Sequence, residues 1–190
     1  MTAKSILKDL LIREQIVKIK EPGKELFKLK SGKLSRLFID IKQASLNPII
    51  LNSIVNAILN EDHSPAFLGI CAGSGTYREQ YNQDYCIGSV AVGGIPIGTA
   101  LSLRTGINQI IVRSEKHERG TETKIIGNCE NKVVILIEDV ATSGGSIFKA
   151  VQAIRESSGT CNSCIVIVDR EEGAKELYLH NNIRLISILK

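Results

Sequence analysis

Two acidic residues followed by a stretch of small residues form the segment of the sequence best suited to chemistry. Glu138 and Asp139 come directly after the apolar run 133–137, and the segment 142–146 reads Thr-Ser-Gly-Gly-Ser. A strand, a small-residue loop and a helix N-terminus together form an anion site, because free backbone N–H groups and the helix dipole favour negative charge. Two acids would repel a phosphate, so we interpret them as acceptors for hydroxyl groups such as a ribose diol.

The same segment also has a simpler interpretation as a helix cap. Ser146 and the two glycines before it are typical of the start of a helix, and the two acids could be solvated. Capping does not explain why paired acids should lie at the mouth of a buried strand, so we favour a binding loop. The spacing matches neither a P-loop nor a GxGxxG dinucleotide loop.

The cysteines and histidines give weaker signals. Cys161 and Cys164 form a CxxC pair, but a structural zinc site usually has a second close pair, and the sequence shows none. His63, His117 and His180 stand alone. We therefore interpret the CxxC residues as free thiols in a turn that precedes a strand.

The elements that must position these residues alternate along the chain. The N-terminal part predicts a helix near 4–15, extended segments near 16–20, 25–30 and 35–41, and a helix opened by Asn47-Pro48. Apolar runs typical of buried strands follow at 66–70, 86–92, 107–112, 133–137, 164–168 and 183–189. Helical patterns separate several of these runs, near 95–105, 146–157 and 171–180. Alternating strands and helices predict an α/β fold with a parallel sheet covered on both faces, and such sheets bind ligands at the carboxyl ends of their strands.

Length and composition narrow the class of protein. A chain of 190 residues with 43% hydrophobic and 23% charged residues fits one ordinary globular domain. The net charge of +4 is too small and too evenly spread to predict a nucleic-acid partner. No apolar run approaches the roughly 20 residues of a membrane helix, and the N-terminus lacks a signal-peptide core. We expect a cytoplasmic protein without a membrane partner.

Residues 133–146 resemble the phosphoribosyl pyrophosphate (PRPP) motif of type I phosphoribosyltransferases. Four further segments resemble, in the family's order, the orotate branch: the hood motif at 27–40, the pyrophosphate loop within 87–104, the mobile catalytic loop at 112–121 and the base-contact segment at 166–174. The resemblance implies an α/β fold with a parallel sheet and helices on both faces, plus a small N-terminal hood. We expect a single phosphoribosyltransferase domain over 1–190, with the hood mainly from about residues 1–45.

The resemblance also implies a role for individual residues. PRPP would be bound by one lysine, by the acid pair and by the loops around it, namely Lys30, Gly93, Gly94, Glu138, Asp139, Ala141, Thr142, Ser143, Gly144, Gly145 and Ser146. Orotate would be bound by Phe38, Thr142 and Arg170. The catalytic residues would be Arg113, Lys116, His117 and Asp139. For Arg170 the residues alone also allow a surface ion pair with Glu171 or Glu172.

The implied reaction joins orotate to PRPP and yields orotidine 5-phosphate and pyrophosphate, with Mg²⁺ as cofactor and no metal ligand assigned to the protein. The family implies a homodimer in which loop 114–123 reaches the neighbouring site. Two alternatives stay open: a PRPP-fold regulatory protein with weakened catalysis, and a phosphoribosyltransferase for another base such as a purine. Arg170 and the hood argue against the purine.

The chain departs from the family pattern in three places. In the hood motif, Leu34 and Arg36 stand where the family usually has a second basic residue and a proline. In the mobile loop, His117 occupies the position of the catalytic lysine, and Lys116 is displaced by one residue. The same loop has Ser114 at a basic position and Arg119 at the histidine position. The polar segment 72–84 has no functional interpretation.

Overall fold

A computed structural model describes residues 2–28, 32, 34–60, 84–113 and 124–190. Several features expected from the sequence lie outside these residues. They are the strand at 66–70, nearly all of the polar segment 72–84, the loop 114–123 with Lys116 and His117, and Lys30.

The N-terminal part combines three helices with short antiparallel strands. Its elements are α1 (Ala3–Arg13), β1 (Val17–Ile19), β2 (Phe27–Lys28), β3 (Leu34–Ser35), β4 (Leu37–Ile39), α2 (Ile41–Ala44) and α3 (Pro48–Asn60). β1 pairs with β4, and β2 pairs with β3. The Arg36 guanidinium donates to the carbonyl oxygen of Lys20 at 3.0 Å, so this departure from the family pattern ties two hood segments together.

The rest of the described chain builds a sheet with helical connections. Its strands are β5 (Tyr85–Val90), β6 (Gln109–Val112), β7 (Ile125–Ile126), β8 (Val133–Ala141), β9 (Thr160–Asp169) and β10 (Arg184–Leu189). Its helices are α4 (Gly94–Thr105), α5 (Gly145–Glu156) and α6 (Ala174–His180). The described strands are ordered β10-β9-β8-β5-β6-β7, and every pair is parallel except β6 with β7.

Alternate residues of the central strand point into two separate cores. In β8, Ile135 and Ile137 pack in the cluster that contains residues of α1, α3 and α4. Val134 and Leu136 pack in the cluster that contains residues of α5 and α6. A strand buried on both faces has a continuous run of apolar residues, and this run is what predicted β8 from the sequence. The predicted fold, a parallel sheet with helices on both faces, is confirmed.

Two local predictions about the strands were wrong. The strand expected to end before Glu138 continues to Ala141, because the ladder to β9 extends to the pair Ala141–Asp169. Cys161 and Cys164 lie inside β9 rather than in a turn. A register irregularity near the start of the β8–β9 ladder inserts an extra residue in β9, so both thiols reach the same core. Burial raises the pKa of the Cys161 thiol to about 12, so it is protonated at neutral pH.

The order of the described strands places a crevice between β5 and β8. From β5 the chain proceeds to β6 on one side and later to β8, β9 and β10 on the other side. Such a reversal separates the loops that leave the carboxyl ends of the two neighbouring strands, and ligands bind there. No described helix is long and apolar enough to cross a lipid bilayer.

Helix α4 rests closely on β5 through a glycine. A Cβ atom on Gly98 would overlap the Ser89 hydroxyl, which accepts a hydrogen bond from Gln109 Nε2 at 2.7 Å. We expect Gly98→Ala to lower the free energy of unfolding by about 1–3 kcal/mol through overpacking. Chemical denaturation measures this effect. The matched control is Gly145→Ala, where nothing lies within 4 Å of the added Cβ, so stability should be unchanged or slightly higher. Equal stability of the two variants would contradict the close packing of α4.

Candidate active site

A cavity of about 770 Å³ opens where the carboxyl ends of β5, β8 and β9 face the hood. The strand ends contribute Ala91–Gly93, residues 138–140 and Arg170 with Glu172. The hood contributes Lys28 and residues 38–42. Thr142, Ser143, Gly145 and Ser146 complete the lining. One cavity thus brings together the acid pair, the small-residue loop, the loop after β5 and the arginine after β9.

The acid pair is buried, and its two members titrate in opposite directions. Burial, the hydrogen bond to Asp139 and the charge of Asp139 raise the pKa of Glu138 well above its ordinary value. Burial also opposes ionisation of Asp139, but hydrogen bonds from Glu138 and Lys42 outweigh it and hold its pKa below the ordinary value. The opposite directions of these pKa shifts reduce the repulsion between the two neighbouring acids.

The Asp139 carboxylate is fixed through both of its oxygens. The backbone N–H of Val140 donates to Oδ1 at 3.0 Å, and Lys42 Nζ lies 3.0 Å from Oδ2. Gly93 packs against the carboxyl group so closely that a Cβ there would overlap it. Gly94 shows a second close approach, since a Cβ would overlap the carbonyl oxygen of Ile137. Glycines at 93 and 94 thus let the loop after β5 lie against the end of β8.

The loop 142–146 leads directly into α5 and presents its amide end to the cavity. Gly144 adopts a left-handed conformation with φ of 86° as the N-cap residue, and the helix begins at Gly145 without a side-chain cap. Ser146 lies within the first turn and lines the cavity, so the capping interpretation does not account for it. The buried Tyr178 packs beneath Gly144, where a Cβ would approach the phenol oxygen to 2.9 Å. Tyr178 therefore supports the loop from below, and the side of the loop that faces the cavity is open to an anion.

Arg170 follows β9 and reaches the cavity from the side opposite the loop after β5. Its backbone N–H donates to the carbonyl oxygen of Ala141 at 3.0 Å, which ties the ends of β8 and β9 together. Its Nε lies 3.4 Å from Glu172 Oε1. The ion pair engages Nε, so the terminal amino groups can still form a bidentate contact with a carboxylate.

Phe38 also lines the cavity and packs against Phe27, with 5.4 Å between ring centroids.

The structure brings most of the predicted site residues that it describes to one place. Phe38, Gly93, Glu138, Asp139, Thr142, Ser143, Gly145, Ser146 and Arg170 all line the cavity. Gly94, Ala141 and Gly144 lie behind this lining and shape it. Arg113 is different: it follows β6, its backbone N–H donates to the carbonyl of Lys124, and it is not among the lining residues. Lys30, Lys116 and His117 lie outside the described residues.

Sequence reasoning missed four charged residues that line the cavity. Lys28, Asp40 and Lys42 come from the hood, and Glu172 is the partner of Arg170. Lys42 follows the hood motif by two residues, but nothing in the sequence indicates that it would meet β8. The described lining holds three cationic side chains and four acidic ones, and burial raises the pKa of Glu138, one of the four. No group of three or more potential metal-ligating side chains occurs within the described residues.

The chain is similar to known proteins over nearly its whole length. Residues 63–183 match the family described as phosphoribosyl transferase domain. The orotate phosphoribosyltransferase of Methanococcus maripaludis is 38% identical over 167 residues, covering 86% of this chain and 80% of the relative. The enzyme of the same name from Methanosphaera stadtmanae is 36% identical over 187 residues, covering 98% and 93%. The crystal structure of orotate phosphoribosyltransferase from Aeropyrum pernix superposes with a TM-score of 0.75 at 26% identity, covering 96% of this chain and 92% of that chain.

Proposed function

The chain belongs to the orotate phosphoribosyltransferase branch of the phosphoribosyltransferase family, and we propose that the cavity at the ends of β5, β8 and β9 is where it joins orotate to PRPP. The products are orotidine 5-phosphate and pyrophosphate. The observation that supports this use of the site is the shared cavity, in which a hydroxyl-accepting acid pair and an anion loop face an arginine. These are the groups that a phosphorylated ribose and a carboxylated base require.

The PRPP subsite is formed by β8 and the loop that follows it. Asp139, whose pKa lies below its ordinary value, accepts hydrogen bonds from the ribose hydroxyls. The amides of the 142–146 loop and the dipole of α5 bind the 5-phosphate. The glycines after β5 bring backbone amides next to Asp139, where the pyrophosphate of the same substrate would lie. This arrangement fixes the ribose C1 atom at the centre of the cavity.

Catalysis in this proposal depends on alignment and electrostatics, and no protein nucleophile is needed. The transition state resembles an oxocarbenium ion at ribose C1, while negative charge grows on the leaving pyrophosphate. The fixed charge of Asp139 favours the ribose in its electron-poor form, and the binding loops hold the base nitrogen in line with C1. Cations must balance the charge of the leaving group. Candidates beyond the described residues are Lys30, Lys116 and His117.

Magnesium fits this site as a companion of the substrate. The described lining offers the carboxylate of Asp139, whose pKa is lowered, and no group of three or more potential ligand side chains. Mg²⁺ commonly keeps several waters and binds through one or two carboxylates plus substrate phosphates, which agrees with this donor set. When bound, the ion supplies charge neutralisation at the pyrophosphate. The nearly balanced charge of the described lining explains why the polyanionic PRPP would need this help.

Arg170 is proposed to bind the carboxylate of orotate. We expect Arg170→Ala to raise the KM for orotate by roughly 10- to 150-fold, as for a lost charged hydrogen bond of about 1.5–3 kcal/mol, and to change the KM for PRPP far less. Steady-state kinetics with each substrate varied in turn measures this. Arg184→Ala, an exposed arginine at the start of β10, is the control. If neither KM changes, Arg170 serves only its ion pair with Glu172.

The choice of base is tested by comparing the rates at which different bases are consumed. Wild-type protein with PRPP and Mg²⁺ should consume orotate but not uracil, which lacks the carboxylate, and not adenine. Removal of a recognised charged group can cost several orders of magnitude, because the terminal amino groups of the partly buried Arg170 would lose their carboxylate partner on the base. Turnover of uracil or adenine at the rate of orotate would exclude the proposed role of the arginine.

We further infer that all 190 residues act as one unit. Leu7, Leu11 and Ile41 of the N-terminal part share a core cluster with Ile87 and Ile135 of the sheet, and both parts line the cavity.

We also propose a homodimer in which loop 114–123 reaches the neighbouring site. The position of Arg113 outside the cavity lining of a single chain supports this arrangement.

A further inference from the structure

We propose that Lys42 is a positioning residue whose ammonium group holds the Asp139 carboxylate at the wall of the cavity where PRPP binds its ribose. The proposal rests on the function proposed above, since it assigns Lys42 to the PRPP subsite of that reaction. Lys42 Nζ lies 3.0 Å from Asp139 Oδ2, and both residues line the cavity. Lys42 belongs to α2 and Asp139 to β8, so the contact links the hood directly to the sheet.

The backbone around Lys42 is held at both ends of a one-turn helix. Asp40 accepts a hydrogen bond from a backbone amide of α2 at 3.1 Å, and Ser45 Oγ donates to the Lys42 carbonyl oxygen at 2.8 Å. Ile41 and Ala44 are buried in the core. The lysine stem therefore starts from a fixed point, although its own side chain is 55% exposed. Because the α2 backbone is fixed, the flexible Lys42 side chain can place its ammonium group in only one region of the cavity.

Lys42 is the cationic contact among those that hold the Asp139 carboxylate. The Val140 amide holds Oδ1, Lys42 holds Oδ2, the Glu138 side chain hydrogen-bonds to the carboxyl group, and the Gly93 backbone packs against it. The lone pairs that these contacts leave are available to ligand hydroxyls. Without the ammonium, Oδ2 would lose its charged partner, and the carboxylate would be held less firmly in the orientation that the ribose needs.

The surrounding charges agree with this role. The titratable and charged groups that face the pair are Glu138 on β8, Asp40 before α2, Lys28 on β2, and Arg170 and Glu172 after β9. Partial burial opposes the charge of Lys42, but the hydrogen bond to Asp139 and the charges of Asp139, Glu138 and Asp40 outweigh it and raise its pKa. Lys42 in turn helps to lower the pKa of Asp139. Loss of Lys42 should therefore let Asp139 take up a proton at a higher pH.

The competing interpretation is an incidental surface ion pair, which contributes little to stability or function. Two observations argue against it: Asp139 has a side chain only 7% exposed, and its other carboxylate oxygen accepts the Val140 N–H at 3.0 Å. An incidental pair would leave PRPP binding and its pH dependence unchanged. A positioning residue would change both while leaving the orotate KM nearly constant.

The test measures PRPP affinity directly, by calorimetric titration with Mg²⁺ present and orotate absent. Wild type is compared with Lys42→Gln, Lys42→Arg and the control Lys18→Gln, an exposed lysine of β1. We expect Lys42→Gln to weaken PRPP binding by roughly 3- to 30-fold near neutral pH and by more as the pH falls, because Asp139 becomes protonated. Lys42→Arg should keep most of the affinity, and Lys18→Gln should match wild type. In turnover, the KM for PRPP should rise while kcat and the orotate KM change little.

The outcomes separate this inference from the proposed function. If Lys42→Gln binds PRPP like wild type at every pH while wild type consumes orotate, Lys42 has no positioning role and the proposed function stands. An arginine variant as weak as the glutamine variant would also overturn the inference, because the charge would then not be what matters. Wild-type protein that fails to bind PRPP would overturn both proposals.

Discussion

Replacing Asp139 by asparagine is expected to lower kcat/KM for PRPP by roughly 10- to 150-fold, which corresponds to a lost charged hydrogen bond of about 1.5–3 kcal/mol. The substitution keeps the shape of the side chain but removes the charge that we propose accepts hydrogen bonds from the ribose hydroxyls. Lys42 can turn its half-exposed ammonium group into water, so we expect the fold to survive. Initial rates with PRPP varied at saturating orotate give the kinetic effect, and thermal unfolding verifies the fold.

The matched control is Asp9→Asn, which makes the same chemical change at an exposed position of α1. Its kinetics and its unfolding temperature should equal those of wild type. Unchanged PRPP kinetics in a folded Asp139→Asn protein would show that the acid pair does not hold the ribose. In that case the assignment of the PRPP subsite to β8 would be wrong.

The second large effect is expected from Lys116→Ala, which should lower kcat by about 10²- to 10³-fold. Lys116 lies outside the described residues, so this prediction rests on the sequence and on the charge of the cavity. The described lining is nearly neutral, whereas the leaving pyrophosphate carries a large negative charge. Lys116 stays charged throughout the neutral range, and its long stem can compensate for a shift of one position. Single-turnover rates for this variant and for Lys124→Ala, the next lysine along the chain, provide the comparison.

His117 is the alternative catalytic cation, and the pH dependence of kcat distinguishes a role of His117 from a role of Lys116. A histidine has an unperturbed pKa of about 6.5, so its positive charge is lost as the pH rises above that value. If His117 served, wild-type kcat would fall above that pH and His117→Ala would be the severely impaired variant. We expect instead a kcat that persists to higher pH and a larger loss in Lys116→Ala. A kcat that falls above that pH, with the larger loss in His117→Ala, would show that His117 acts at the family's catalytic lysine position.

The fold was predictable because its main strands are buried on both faces. Continuous apolar runs located β5, β6, β8, β9 and β10 without any knowledge of their order in the sheet. The end of β8 was misplaced because Glu138 and Asp139 interrupt the apolar run, although their backbone continues the ladder with β9. The CxxC pair was misplaced because an extra residue in β9 shifts the alternation of side chains, which periodicity does not reveal.

The site was predictable where its residues are neighbours in the chain. The acids and the small-residue loop lie within residues 138–146, so the chemistry could be read locally. Lys42 was missed because its partner belongs to a distant part of the chain and the contact depends on how α2 meets β8. The opposite pKa shifts of the two acids were missed for a related reason. They depend on burial, which the sequence does not specify residue by residue.

The most direct test of the central claim is a single reaction of the wild-type protein with orotate, PRPP and Mg²⁺, in which the loss of orotate absorbance and the release of pyrophosphate are followed together. We predict that both proceed with equal stoichiometry and that neither occurs without PRPP. Binding of PRPP without consumption of orotate would contradict the enzymatic function and favour a regulatory protein built on the same fold.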